Sequence, residues 1–415
     1  MFDFDMLGLA PQLSKALKDN GLTEPTPIQN QAIPLALEGH DVLGLAQTGT
    51  GKTLAFGLPL IDAMLNRPGK PAPRMAKSLV LAPTRELVNQ IAESLRGLTK
   101  GTKVRVVTVV GGQSIMKQVH LLSRGCDILV ATPGRLIDLL DRGAVDLGEA
   151  SYLVLDEADQ MLDMGFIHAL RRIEPHLATP RQTMLFSATM PKQMEELAGS
   201  YLTNPRRVQV APPGKAADKI TQMIHFLEKP AKPAKLREVL DADPGALTLV
   251  FARTKHGSEK LMKSLRADGY KVDSIHGNKS QGQRDRAIKA FRACEINVLV
   301  ATDVAARGID IPGVAYVINY DLPEVPDNYV HRIGRTARAG REGVGIAFCA
   351  PEEAQLLRQI QKLMKIEIPV ASGTAPEGVA PRPTRGPRRG KPQGQGKPGG
   401  HRGQGRRRRR PAKAA

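Results

Sequence analysis

Short runs of aliphatic and β-branched residues recur along the chain from about residue 40 to residue 350, separated by stretches whose apolar positions have helical spacing. In the first half they cover residues 42–45, 78–81, 103–110, 127–131, 152–155 and 183–186. In the second half they cover 247–251, 271–275, 297–301, 316–319 and 345–349. A strand with one wet face alternates apolar and polar residues, whereas most of these runs are near-continuously apolar with no polar face. That pattern belongs to parallel strands covered on both faces, and it predicts two α/β domains. The break between them is Ala-Pro-Pro-Gly-Lys-Ala-Ala-Asp at 211–218, which has little to pack and reads as a linker. The expected domains are therefore 1–210 and 219–370. An internal echo, Ile128-Leu-Val-Ala-Thr132 against Val298-Leu-Val-Ala-Thr302, suggests that one domain duplicates the other. From Ala371 the apolar spacing gives way to Pro, Gly, Gln and Arg, ending in Arg406 to Arg410. Such a segment buries too little surface to offset its chain entropy, so 371–415 is predicted to be a disordered basic tail.

Charge sharpens this picture. Thirteen Lys and Arg against one Glu in 371–415 give +12 of the formal net charge of +19, which leaves +7 for residues 1–370. The excess favours a polyanionic partner, with nucleic acid ahead of an anionic membrane. No apolar run approaches the ~20 residues of a membrane span, and the start Met-Phe-Asp-Phe-Asp lacks the basic region of a secretory signal. The chain is only 4% aromatic and has no Trp, which argues against a binder built on many exposed stacking rings. Cys126, Cys294 and Cys349 are far apart and form no CxxC pair, so neither a zinc site nor a disulfide framework is expected, and a cytoplasmic location fits.

Three segments carry candidate chemistry. Ala46-Gln47-Thr48-Gly49-Thr50-Gly51-Lys52-Thr53 follows the run 42–45 and precedes a helical pattern. Glycines let backbone N–H groups approach phosphates, a Lys neutralises β/γ charge and a hydroxyl binds Mg²⁺. The segment reads as a phosphate-binding loop with Ala46 at the usual first glycine; a plain glycine-rich turn opening a helix fits the same residues. Asp156-Glu157-Ala158-Asp159 follows the run 152–155. A carboxylate at the end of a central strand beside a phosphate loop is placed to hold Mg²⁺, and Glu157 to orient or deprotonate water. The alternative is an acidic helix N-cap. In His331-Arg-Ile-Gly-Arg335-Thr-Ala-Arg338, three arginines spaced three apart share a face if helical. They make either a solvated basic helix or an arginine finger delivered from one domain to the other's phosphate.

In this order and spacing the motifs of residues 1–370 resemble the DEAD-box ATP-dependent RNA helicases, most of all the bacterial RhlE-type subgroup. The resemblance implies two tandem RecA-like parallel-sheet domains. Pro25-Thr-Pro-Ile-Gln29, with Phe4 upstream, is similar to the adenine-reading Q motif. Pro83-Thr84-Arg85-Glu86, Gly111-Gly112 and Thr132-Pro133-Gly134-Arg135 resemble the first-lobe RNA motifs, and Ser187-Ala-Thr189 the motif coupling hydrolysis to RNA. In the second lobe Gln281, Arg284 and Thr302 match RNA-contact positions, Arg307-Gly-Ile-Asp310 a nucleotide-linked segment, and His331 to Arg338 the finger motif. By that match Lys52, Asp156, Glu157, Arg335 and Arg338 are catalytic and His331 is a coupling residue. ATP binds with Mg²⁺ on Thr53 and Asp156. The partner is RNA, single-stranded or duplex, recognised with little sequence specificity. The tail is a candidate docking segment for ribosomal or RNA-degradation proteins. The implied function is an RNA-dependent ATPase that separates duplexes or remodels RNA–protein complexes. The same motifs also serve an ATP-gated RNA clamp or annealing factor, while the Q motif and the Asp-Glu-Ala-Asp string argue against a DNA helicase or an unrelated phosphate-loop ATPase.

Overall fold

The computed structural model describes residues 3–47, 49–67, 69–210, 220–306, 311, 313–337 and 342–376. The expected linker, Thr48, Asp310, Arg338 and the chain from 377 onward lie outside the described residues.

Strands β1 (Val42–Leu45), β2 (Ala76–Leu81), β3 (Val106–Val109), β4 (Cys126–Ala131), β5 (Tyr152–Leu155), β6 (Gln182–Ser187) and β7 (Arg206–Gln209) form one sheet. Its order is β3-β4-β2-β5-β6-β1-β7, and every pairing is parallel. Strands β8 (Ile220–Phe226), β9 (Thr248–Phe251), β10 (Val272–Ile275), β11 (Val298–Ala301), β12 (Tyr316–Asn319), β13 (Gly343–Cys349) and β14 (Val370–Ser372) form a second, also parallel. Its order is β10-β11-β9-β12-β13-β8-β14. Each strand of the second sheet therefore has a counterpart seven strands earlier, and the duplication suggested by five residues extends to the whole topology.

The echo occupies matching places. Thr132 N donates to Val109 O at 3.1 Å beyond β4, and Thr302 N to Ile275 O at 3.3 Å beyond β11. Beyond β2 and β9 the repeat goes further. Ala82 N bonds Ala131 O and Ala252 N bonds Ala301 O, while Thr84 and Thr254 each cap the following helix through the side-chain hydroxyl.

Both faces of each sheet are covered, and the strand period of two sorts the side chains. In the first lobe Val42, Val80, Val154 and Phe186 lie in one core, and Leu43, Leu79, Leu153 and Leu185 in the other. In the second, Val250, Val300 and Ile318 oppose Leu249, Leu299 and Val317. Burial on both faces is the reason these segments read as unbroken apolar runs. The tail was expected from Ala371, but Val370–Ser372 pairs with β8, and Ser372 Oγ lies 2.7 Å from His225 Nδ1. The second lobe thus extends past the expected boundary.

Candidate active site

The candidate residues lie on the loops leaving the carboxyl ends of the strands, where ligands of open parallel sheets bind. β1 runs into the loop 46–51, and the helix Lys52–Asn66 follows. Gly49 (φ 81°) and Gly51 (φ 93°) take left-handed conformations that favour glycine. Ala46 continues β1, donating its N–H to Ser187 O at 3.0 Å and packing in the core, so a methyl group fits there. Gln29 is buried and braces the loop: Nε2 donates to Gly51 O at 2.9 Å, and Oε1 accepts from Thr26 N at 2.9 Å. A Cβ on Gly51 would stand 2.4 Å from that Nε2. Phe4 is buried in the first-lobe core and anchors the N-terminal segment there.

Lys52 is buried, and among the described residues its Nζ has no hydrogen-bond partner; Asp156 Oδ1 lies 3.8 Å away. Asp156 leaves the end of β5. Glu157 follows in a left-handed conformation (φ 51°, ψ 49°), costly for a non-glycine residue and the kind of strain that collects at working sites. Glu157 Oε2 is likewise buried without a hydrogen-bond partner among the described residues. Burial pushes the acids of Asp156 and Glu157 up from the ordinary carboxylate range. Lys52 draws Asp156 back down, and Arg335 does the same for Glu157. Two orphaned groups of opposite sign in one dry site fit a ligand that is anionic toward Lys52 and carries a water or a cation toward the carboxylates. The oxygens of Asp156 and of half-buried Thr53 on the next helix form a hard donor set suited to Mg²⁺.

Asp159 joins this site to the rest of the molecule. Its Oδ2 accepts from Ala188 N (3.0 Å), Thr189 N (2.9 Å) and Thr189 Oγ1 (3.1 Å), and Ser187 Oγ donates to Thr189 O at 2.6 Å. From the second lobe, His331 Nε2 approaches the same Oδ2 to 4.0 Å. Of the expected coupling residues, Thr189 and His331 converge on the Asp159 carboxylate, and Ser187 braces Thr189; the sequence gives no sign of that carboxylate's part. The three arginines do not share one helix. The helix Pro326–Ile333 ends at Gly334, so Arg335 lies beyond it, buried, and Arg338 lies outside the described residues. Arg332 has a structural part. It is fully buried, pairs with Asp303, donates to Asn319 Oδ1 at 2.9 Å and Asp321 O at 2.6 Å, and stacks 5.0 Å over Phe251.

The lining of a cavity of about 360 Å³ includes Pro83, Thr84, Arg85, Gly111, Thr132, Gly134 and Arg135 of the first lobe and Arg284 of the second, together with the acidic Glu86 and Asp138. Eight of the twelve expected RNA residues thus face one space. Gly112 (φ 73°) leaves room for Arg85: a Cβ there would come within 1.9 Å of its Nη1. Pro133 is buried at the start of the helix Pro133–Asp141, where its missing N–H is harmless. Thr302 stands at the matching place in the second lobe. Gln281 and Arg284 reach across the lobes. Arg85 Nη1 donates to Gln281 Oε1 at 3.1 Å, Gln281 Nε2 to Glu86 Oε1 at 3.1 Å, and Arg284 pairs with Glu86 at 3.0 Å.

Comparison with known proteins agrees with this geometry. The family described as DEAD/DEAH box helicase matches residues 26–197, and the helicase conserved C-terminal domain matches 231–340. The chain is similar to Dbp5 of S. cerevisiae bound to RNA and ADP BeF3, at 33% identity over 89% of this chain and 95% of that one, with a TM-score of 0.78. It is similar to the DEAD-box helicase Mss116 bound to ssRNA and UDP-BeF, at 28% identity over 91% and 82%, TM-score 0.81. A DEAD box protein from the hyperthermophile Methanococcus jannaschii is 35% identical over 89% and 99%, TM-score 0.53.

Proposed function

The chain belongs to the DEAD-box helicase family, and from that premise we propose that it is an ATP-dependent RNA helicase: an RNA-stimulated ATP hydrolase that locally separates RNA duplexes or remodels RNA–protein complexes. The observation that carries this reading is convergence. Lys52 lies by Asp156 in the first lobe, His331 of the second lobe approaches Asp159 of the same acidic segment, and the charge of Arg335 draws down the acid of Glu157, while RNA-type residues of both lobes line one cavity.

ATP phosphates are assigned to Lys52 and the loop 46–51, with the base end toward Gln29 and Phe4 and a further contact from Asp310. Mg²⁺ held by Asp156 and Thr53 supplies charge neutralisation when bound. Glu157 orients the attacking water. Arg335 and Arg338 act as fingers on the transferred phosphate, a role worth roughly 10³–10⁵ in rate. Asp159 carries the signal: the loop bearing Thr189 and the second-lobe His331 share its carboxylate. Because ATP and RNA both favour the closed arrangement of the lobes, each strengthens binding of the other by the same factor. Arg85, Arg135, Gln281, Arg284 and the neighbouring Thr and Gly positions take RNA phosphates and 2′-hydroxyls, which fix position without reading sequence. The relatives bound to RNA and to nucleotide analogues support this assignment. A cytoplasmic setting, membership of the bacterial RhlE-type subgroup and a tail that contacts RNA or ribosomal and RNA-degradation proteins complete the proposal.

The test is ATP hydrolysis with RNA and with DNA of the same sequence as activator, for the intact chain and for Lys52→Ala. RNA alone should stimulate, and the variant should lose turnover. Equal stimulation by DNA, or a fully active variant, would overturn the reading. Strand displacement measured beside strand annealing separates a helicase from an ATP-gated clamp.

A further inference from the structure

The two sheets share one strand order, and Lys52 of the first lobe has a counterpart in the second. Lys52 opens the helix after β1; Lys232 opens the helix Lys232–Ala242 after β8, the counterpart of β1. Asp156 follows β5; Asp321 lies just beyond β12, the counterpart of β5. The lysine–aspartate distances are 3.8 Å in the first lobe and 3.3 Å in the second.

The difference lies in what the lysine meets. Lys52 Nζ has no hydrogen-bond partner among the described residues. Lys232, 1% exposed, uses all three of its N–H bonds: on Tyr320 O at 2.7 Å, Asp321 Oδ1 at 3.3 Å and Glu353 Oε2 at 2.7 Å. Glu353, 2% exposed, comes from the segment after β13, the counterpart of β6. Its carboxylate is held as a phosphate would be. One oxygen accepts from Lys232 and from Ala350 N at 3.1 Å; the other accepts from Arg253 and from Leu322 N at 3.1 Å. The connecting loop has changed to match. Residues 227–231 read Leu-Glu-Lys-Pro-Ala, with no glycine, and Pro230 offers no N–H, so the amide cradle of the first lobe cannot form.

We propose that the second lobe holds a closed counterpart of the first lobe's phosphate site, in which the Glu353 carboxylate stands in the oxyanion's place, and that truncating Glu353 opens this site to inorganic phosphate. In the native chain the internal carboxylate excludes a second nucleotide and neutralises Lys232 and Arg253, leaving one hydrolytic site per molecule. The inference rests on the phosphate-site reading of the first lobe, but its test does not pass through hydrolysis.

The experiment is thermal unfolding of Glu353→Ala, made in a Lys52→Ala background to silence the first lobe, in chloride and in inorganic phosphate at matched ionic strength. In chloride the variant should melt below its parent. Its midpoint should then rise with the logarithm of phosphate concentration, as for any ligand that binds only the native state. Two controls should not respond beyond the parent: Glu353→Gln, which fills the space with a neutral amide, and the double variant Lys232→Met/Glu353→Ala, which removes the cation. A phosphate response no larger than the parent's, or an equal response from the double variant, overturns the proposal. Should Glu353→Ala fail to fold in chloride, recovery of a cooperative transition in phosphate supports the proposal, and failure in both buffers overturns it.

Discussion

Replacing Glu86 by Gln should weaken RNA binding in the ATP state while leaving nucleotide-free RNA affinity nearly unchanged. Glu86 is the centre of the clasp between the lobes: its carboxylate receives Arg284 at 3.0 Å and Gln281 Nε2 at 3.1 Å, and the neighbouring Arg85 holds the other end of Gln281. The ion pair is mostly shielded, with side chains 8% exposed for Glu86 and 15% for Arg284. An exposed pair contributes about 0–1 kcal/mol and a buried charged hydrogen bond about 1.5–3, so this intermediate pair should contribute about 1–2 kcal/mol. The contact exists only when the lobes meet, so its loss falls on the closing equilibrium. At 1.4 kcal/mol per decade, half-saturating RNA for ATPase stimulation should rise roughly 5- to 30-fold. Turnover at saturating RNA should fall far less, since excess ligand restores the closed state.

Arg284 is also an expected RNA contact, so a single variant cannot separate the two roles. The pair Glu86→Gln and Arg284→Met, with the double variant, closes a thermodynamic cycle. A clasp requires strong non-additivity, because the first change removes most of what the second can lose. Additive effects, or equal loss of RNA affinity with and without nucleotide, would refute the clasp and return Arg284 wholly to RNA.

Three further outcomes are expected. Gly112→Ala places a methyl group within 1.9 Å of the Arg85 guanidinium in a left-handed backbone; RNA affinity by titration should fall several-fold while nucleotide binding stays intact, and unchanged RNA affinity would refute the packing argument. Glu157→Gln should abolish hydrolysis yet stabilise the nucleotide-free protein, because burial raises the native acid: the native state then binds its proton more readily than the unfolded chain, so stability present at low pH is lost as pH rises above the ordinary glutamate range. The gain in melting temperature should be absent at acid pH and appear toward neutrality, at about 2–4 °C for each kcal/mol released, and a variant less stable at neutral pH would refute it. Deleting 377–415, which spares β14, removes thirteen basic residues; if half of them meet phosphates of single-stranded RNA, the log–log salt dependence of binding should flatten by about 4, and equal slopes would rule out a tether.

Legibility followed burial and sequence locality. Strands covered on both faces announced themselves because every position along them is buried and most are apolar, as in β2, β4, β5, β9 and β11. Two of the four edge strands did not: β7 reads Arg-Arg-Val-Gln with one buried residue, and β14 is exposed throughout, so neither carries an apolar signal. The phosphate loop, the Asp156-Glu157 pair and the RNA-type motifs were readable because each is a local segment whose chemistry needs contiguous residues. Relations between segments were not. Nothing near Glu86 points to a partner about two hundred residues away, and nothing near Gln29 tells that its amide braces Gly51. The arginine series misled for a local reason: a spacing of three predicts a shared face only while the helix lasts, and this helix stops at Gly334. Arg332 then turns inward to Asp303, whereas Arg335 lies buried beyond the helix end, where its charge favours the ionised form of Glu157. The echo of five residues proved more informative than its length suggested, because a buried strand in a duplicated sheet must keep both its apolar faces and its register. Once the register is known the comparison can be carried to residues with no sequence likeness around them. Lys232 follows a loop unlike that before Lys52, yet it opens the counterpart helix and meets Glu353 as well as Asp321, whereas among the described residues Lys52 pairs with Asp156 alone. Position in the fold, rather than local sequence, is what identifies it.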